Sequence, residues 1–206
     1  MLQGRDCLIL PCDVSDFDAA QAVVADAVKA DNIKLDGCVF SAGISAVYPI
    51  RQAELSTLQE MFRTNFFSLV AILKAFCSRR VSKDGASFAS VSSRAAMMPD
   101  KGQGIYGAAK AAINAYTVAA AKELAPRRIR VNAVCPEMVD TPMGAYFKEN
   151  MPPEQLQKAY PLGLLTAEDV ANTVIYLLSS YSGKVTGQAI WLSAGNDGGS
   201  IEGYII

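Results

Sequence analysis

Tyr106 and Lys110 lie four residues apart near the start of a stretch with helical periodicity, so both side chains project from one face, one turn apart. An ammonium group beside a phenol favours the phenolate, which predicts a Tyr106 pKa below the usual ~10 and a side chain able to act as general acid or base. The 206 residues include no histidine. Its absence removes Ser-His-Asp and Cys-His nucleophile pairs and the usual His-containing zinc sites, and leaves proton chemistry to Tyr, Lys, Asp or Glu. Thirteen residues before Tyr106, Ser93 follows the strand-like run Ala86–Ser92. There a hydroxyl can hydrogen-bond a substrate oxygen on which negative charge develops. Taken singly these signals are weak: Tyr-x-x-x-Lys spacings occur on many helix surfaces, and serines after strands, Ser90 and Ser92 included, are commonly turn formers or caps.

Asn65 shares a helical face with Leu58, Met61, Phe62, Leu69, Ile72 and Phe76, so it points where its neighbours are buried. A buried amide needs partners. Two readings stand side by side, a structural bond to nearby backbone or a relay holding water beside Lys110.

These residues must be held by an alternation of short apolar runs and longer helical patterns. The runs are Cys7–Cys12, Leu35–Ser41, Ala86–Val91, Ile129–Val134 and Gln188–Leu192; the helical patterns are Phe17–Ala30, Leu55–Arg79, Gly104–Ala125 and Ala167–Ser179. The alternation predicts an α/β chain with a parallel sheet covered on both faces, since the strands are nearly continuously apolar. No repeat, low-complexity tract or Pro/Gly-rich linker divides residues 1–206, which read as a single domain. The least regular segment, Glu137–Leu165, contains four prolines as well as Tyr146, Phe147 and Tyr160, and reads either as a lid over a site or as a long connection.

With 51% hydrophobic residues and a formal net charge of -1 from 19 basic and 20 acidic residues, the chain can bury a sizeable core and shows no basic footprint for nucleic acid. Arg127, Arg128 and Arg130 read as a solvated helix end. Without a long apolar run or a basic leader the sequence predicts a cytoplasmic protein with no membrane span. Five widely spaced cysteines, Cys7, Cys12, Cys38, Cys77 and Cys135, read as reduced core thiols. No metal site is expected.

Ser93, Tyr106 and Lys110 at these separations, with Asn65 upstream, resemble the Asn-Ser-Tyr-Lys tetrad of the short-chain dehydrogenases/reductases. Other motifs follow in order. Asp13 and Val14 resemble the family's adenine contact, and Ser41-Ala42-Gly43 its Asn-Asn-Ala-Gly turn. Arg130-Val131-Asn132 with Pro136 to Thr141, Val139 included, resembles the segment whose threonine holds the nicotinamide carboxamide. Thr186-Gly187-Gln188 is similar to the family's C-terminal Thr-Gly-Gln. The likeness runs from Cys7 to Gly195 and is strongest with 3-oxoacyl-carrier-protein reductase-like members.

The resemblance implies a Rossmann-like doubly wound parallel sheet and an oxidoreductase moving hydride between NAD or NADP and a small carbonyl compound or secondary alcohol. The tetrad would be catalytic, and Asp13, Val14, Ser41, Ala42, Gly43, Tyr106, Lys110, Pro136, Val139 and Thr141 would bind the cofactor. A homodimer or homotetramer built on the helices of Leu55–Arg79 and Gly104–Ala125 is implied as well.

Three departures qualify that expectation. The 206 residues contain no Thr-Gly-x-x-x-Gly-x-Gly turn, the element that binds pyrophosphate. By the family's layout roughly 45 residues, two strands and two helices, would precede Met1. The strand expected at Cys7–Cys12 would then stand ~14 Å from that of Leu35–Ser41 and lack a partner. Weak NAD(P)(H) binding is expected of this polypeptide, and the alternative to an enzyme is a catalytically impaired, N-terminally truncated remnant serving oligomerisation or interaction. Phe40 and Ser41 replace the turn's two asparagines, and Glu137 stands where the family has glycine, so that its charge would repel the nicotinamide phosphates unless it turns away.

Overall fold

A computed structural model describes residues 7–31 and 33–196, the side chains of residues 30, 31, 146 and 147 excepted. Four strands, β1 (Leu35–Phe40), β2 (Ser82–Val91), β3 (Arg130–Pro136) and β4 (Ala189–Leu192), pair in parallel in the order β1-β2-β3-β4. Parallel neighbours require crossovers. After α1 (Phe17–Asp31), which precedes β1, the helices supply them: α2 (Leu55–Phe62), α3 (Ser68–Phe76), α4 (Gly104–Leu124), α5 (Ala145–Asn150), α6 (Pro153–Ala159) and α7 (Ala167–Leu178).

Side chains of β2 alternate between two apolar layers, as strand geometry demands. Phe88 points into the layer made with Leu69, Leu73 and Phe76 of α3 and Ile113, Ala120 and Ala121 of α4. Its neighbour Ala89 meets Val174 and Leu177 of α7 and Val134 of β3 in the other. Helices thus cover both faces, and the interior strands are buried without a break over Ala86–Ser90 of β2 and Val131–Pro136 of β3, polar Ser87, Ser90 and Asn132 included. The fold is α/β and Rossmann-like, as expected. α7 starts on a complete capping box, Thr166 bonding the Asp169 amide while the Asp169 carboxylate accepts from Thr166.

Several expectations change. Cys7–Cys12 forms no strand: Leu8 and Ile9 are 54% and 81% exposed, and the outer edge of β1 has no partner among the described residues. A strand without a neighbour has nowhere to place its backbone hydrogen bonds. For the same reason Cys7 is exposed. All five thiols are free as expected, but only Cys135 is a fully buried one. The helix expected over Leu55–Arg79 ends at Phe76 and is interrupted by one π-helical turn, Arg63–Phe67.

The arginine cluster is not a solvated helix end. Arg127 donates to Asp84 and to the carbonyls of Cys77 and Ser82, while Arg130 reaches the carbonyls of Leu177, Ser179 and Ser182. Both clamp loop backbone that would otherwise lack donors. Arg128 takes the left-handed conformation that turns α4 into β3.

Candidate active site

The register places Phe40 opposite Ser90, Val91 opposite Val134 and Pro136 opposite Leu192, so β1, β2 and β3 end at one edge of the sheet. Segments leaving that edge open into a cavity of about 300 Å³. In parallel sheets this carboxyl edge is where ligands bind. The cavity is lined by Ser41 and Gly43 after β1, Ser93 and Arg94 after β2, Pro136, Glu137, Val139 and Thr141 after β3, and Tyr106 and Lys110 from the first two turns of α4.

Ser93 caps the short 3-10 turn Arg94–Ala96, its Oγ accepting from the Ala95 amide at 3.1 Å. α4 begins hard against this turn. A Cβ on Gly107 would stand 2.5 Å from the Ala95 carbonyl oxygen and 2.9 Å from Pro99 Cβ, so only glycine permits the approach. The approach brings the Ser93 hydroxyl into hydrogen-bonding relation with the Tyr106 phenol, which pulls the phenol's pKa down. Burial outweighs it, and the Tyr106 pKa lies above its ordinary value.

This is the reverse of the shift expected from a neighbouring ammonium. Burial of the phenol is the reason, and it decides the direction although a lysine is close by. Lys110 Nζ stands 5.7 Å from the Tyr106 ring centroid and donates to the Val91 carbonyl at 3.0 Å, while burial lowers its own pKa to about 8. Ser90 and Ser92 are neither turn formers nor caps: their buried hydroxyls donate to the carbonyls of Asn132 and Lys110, and Ser92 also lines the cavity.

Asn65 sits on the π-helical turn and is fully buried. Such turns add one residue to a helix and re-aim a side chain. Its Oδ1 accepts from Ile44 N at 3.0 Å, and its Nδ2 donates to Ile44 O at 3.0 Å and to Met61 Sδ. Of the two readings the backbone bond is present. Asn65 still stands at the site, since a Cβ on Gly43 would lie 2.6 Å from its Oδ1 and 3.4 Å from Lys110 Nζ. Gly43 keeps the wall flat above both groups.

Among the other candidates, Ala42 packs into the core instead of the cavity. Asp13 and Val14 do not line it either. Asp13 is engaged in a local turn with Ser15, whose bonds hold its carboxyl below the usual range. Asn132 and Thr186 are structural: Asn132 bonds Val185 O and Gln188 N, and Thr186 Oγ1 accepts from Val131 N.

Sequence reasoning missed the far wall. Arg94, buried, donates from Nη2 to Asp100 at 2.6 Å and pairs through Nε with Glu137 at 2.8 Å. Tyr160 completes the cluster, its hydroxyl donating to Glu137 Oε1 at 3.3 Å. Glu137 is therefore committed to Arg94 and Tyr160, although it still lines the cavity. Burial raises its pKa, with Arg94 opposing. The irregular segment walls the cavity with Met138, Met143, Met151 and Tyr160. The one available signal was a charged residue directly after Ser93.

A family model described as enoyl-(acyl carrier protein) reductase matches residues 2–197. The chain is 34% identical over 162 residues to a 3-oxoacyl-(acyl-carrier-protein) reductase of Chlamydia pneumoniae, covering 78% of this chain and 65% of that protein. The chain belongs to the short-chain dehydrogenase/reductase family. It is 29% identical to the human 3-oxoacyl-(acyl-carrier-protein) reductase, over 86% of this chain and 73% of that one. A short-chain type dehydrogenase/reductase structure from Mycobacterium ulcerans superposes with a TM-score of 0.83 at 32% identity, covering 90% of this chain and 68% of that chain. The family's α/β fold therefore applies here. The chain spans 65% of the length of the Chlamydia relative, so that protein's full activity is not carried over with it. No helix among the described residues is long and apolar enough to cross a membrane.

Proposed function

We propose that this short-chain dehydrogenase/reductase transfers hydride between NAD or NADP and a ketone or secondary alcohol, with Ser93, Tyr106 and Lys110 carrying the proton chemistry. The observation behind this reading is the convergence of the Ser93 and Tyr106 hydroxyls on one wall of the cavity with the buried Lys110 amine beside them. A bound nicotinamide would supply or accept the hydride.

The chain's own residues would do the rest. Ser93 donates a hydrogen bond to the substrate oxygen and fixes its position. Tyr106, whose pKa burial moves upward, delivers its phenolic proton to that oxygen as charge develops on it. Lys110 offers its amine to the ribose hydroxyls and replenishes charge near Tyr106. Asn65 acts by holding Ile44, and with it the Ser41–Gly43 turn, at a fixed height over Lys110. The fit for the nicotinamide half rests on that turn: Gly43 presents bare backbone, and Thr141 lies on the opposite side of the same cavity. Asp13, which the family resemblance puts at the adenine, lies outside the cavity in a local turn with Ser15, and the reading covers NAD and NADP alike.

The test is NADH and NADPH oxidation with simple ketones over a cofactor range from micromolar to millimolar. Tyr106→Phe is expected to lower turnover at least ~10²-fold, the scale of one general acid, because no histidine can substitute. Wild-type turnover in the Phe variant removes Tyr106 from the mechanism. Absence of turnover and of cofactor binding in the wild type favours the interaction-module alternative.

A further inference from the structure

Arg94 follows Ser93 directly and faces the cavity, the position from which a guanidinium would anchor a substrate carboxylate. It is not free to do so. Asp100 holds Nη2 at 2.6 Å and Glu137 holds Nε at 2.8 Å, and only 11% of the Arg94 side chain is exposed. The Glu137 side chain is 4% exposed and accepts in addition from Tyr160, itself buried. Glu137 occupies the place where the family resemblance puts glycine, so the partner that occupies Arg94 is a feature of this sequence.

Two lysines also line the cavity: Lys110 donates to the Val91 carbonyl beside Tyr106, and Lys101 stands at the exposed rim away from the Arg94 pair. Met138, Val139, Met143 and Met151 line the same cavity and give it an apolar and adaptable surface. An anion entering beside Arg94 gives up its hydration and approaches two fixed carboxylates that already neutralise the guanidinium.

We infer that Glu137, by occupying Arg94, makes this cavity selective for uncharged carbonyl compounds bearing an apolar substituent and sets it against free oxo acids. This rests on the reading of the cavity as a carbonyl site. Specificity of this kind comes from an element that repels the competitor as much as from one that attracts the ligand.

The chain contains one tryptophan, Trp191, so its indole N–H gives a single cross-peak. That indole is near enough to Glu137 to lower its pKa, although neither Trp191 Nε1 nor Glu137 Oε2 makes a hydrogen bond within the described residues. The experiment titrates the 206-residue protein with methyl 4-oxopentanoate and with 4-oxopentanoate, following the Trp191 cross-peak and ligand saturation transfer. The ester is expected to bind at least about tenfold more tightly than the carboxylate, the scale of one charge-assisted bond. Glu137→Gln, which leaves Arg94 with Asp100 alone, is expected to narrow the gap by strengthening carboxylate binding. Glu137→Gly serves the same purpose without the amide, and circular dichroism verifies that each variant is folded. A wild-type protein that binds the carboxylate as tightly as the ester overturns the selectivity while leaving the carbonyl reading in place. Folded variants whose gap is unchanged overturn the role of Glu137. Failure of both ligands to bind overturns the selectivity and the carbonyl reading together.

Discussion

Lys110 is nearly sealed from water, and folding therefore weakens its hold on a proton: burial brings its pKa from 10.5 to about 8. Below pH 8 both folded and unfolded chains carry the charge, and the full desolvation cost stands. Between about pH 8 and 10.5 the unfolded chain binds more protons than the folded one, so stability from this group rises with pH across that window. Lys110→Met is expected to stabilise the fold at pH 7 by on the order of 2 kcal/mol, the advantage shrinking above pH 8. Melting curves of both proteins at pH 7, 8.5 and 10 check it; a variant melting below wild type at pH 7 contradicts it. The residue pattern made Ser93, Tyr106 and Lys110 legible because helical periodicity and strand ends are local properties. The Arg94–Glu137 pair was not, since its partners are brought together by β2 and β3 lying side by side. The direction of the Tyr106 shift was illegible for a related reason: spacing shows that two groups are neighbours, and says nothing of how deeply both are buried.

At the scale of elements, the site depends on how closely α4 approaches the turn after β2. Gly107→Ala forces a methyl group against the Ala95 carbonyl and Pro99, and is expected to cost about 1–3 kcal/mol and to separate Tyr106 from Ser93. Gly104, one turn earlier in the same helix, meets nothing within 4 Å. Gly104→Ala should therefore be neutral or stabilising by about 0.5–1 kcal/mol. Urea unfolding of the two variants separates a packing effect from simple helix propensity; equal outcomes would remove the close approach as the cause. Four strands and four long helices could be read from apolar periodicity to within a few residues, because burial on one or two faces imposes that period. The π-helical turn at Asn65 could not. One inserted residue leaves the apolar pattern nearly intact, and only the bonds to Ile44 reveal what the insertion accomplishes.

For the molecule as a whole, apolar surface is left over on the helices that the sequence nominates for self-association. Leu55, Leu58 and Phe67 on α2 and the π-helical turn are 71%, 38% and 46% exposed, and Val118 on α4 is 41% exposed. Phe66 stacks edge-on against Tyr116, joining the two helices into one continuous aromatic face. Patches of this kind on soluble proteins are commonly covered by a partner. Light scattering at micromolar concentration is expected to give a dimer or tetramer, and Phe67→Glu to shift it toward monomer. A monomer in the wild type counts against it. The strand expected at Cys7–Cys12 failed for a reason visible only at this scale: its apolar run satisfied every local criterion for a strand, but no neighbouring strand is there among the described residues to receive it.

The low basicity of Lys110 also makes it a nucleophile. At pH 8 an amine with a pKa of about 8 is half uncharged, whereas an ordinary lysine of pKa ~10.4 is uncharged in roughly 1 molecule in 250. Lys110 opens onto the cavity, so a reagent no larger than cyanate can enter to meet it. Carbamylation at pH 8 should mark Lys110 ahead of lysines on the surface, and peptide mapping would find the modification on the peptide that carries Tyr106.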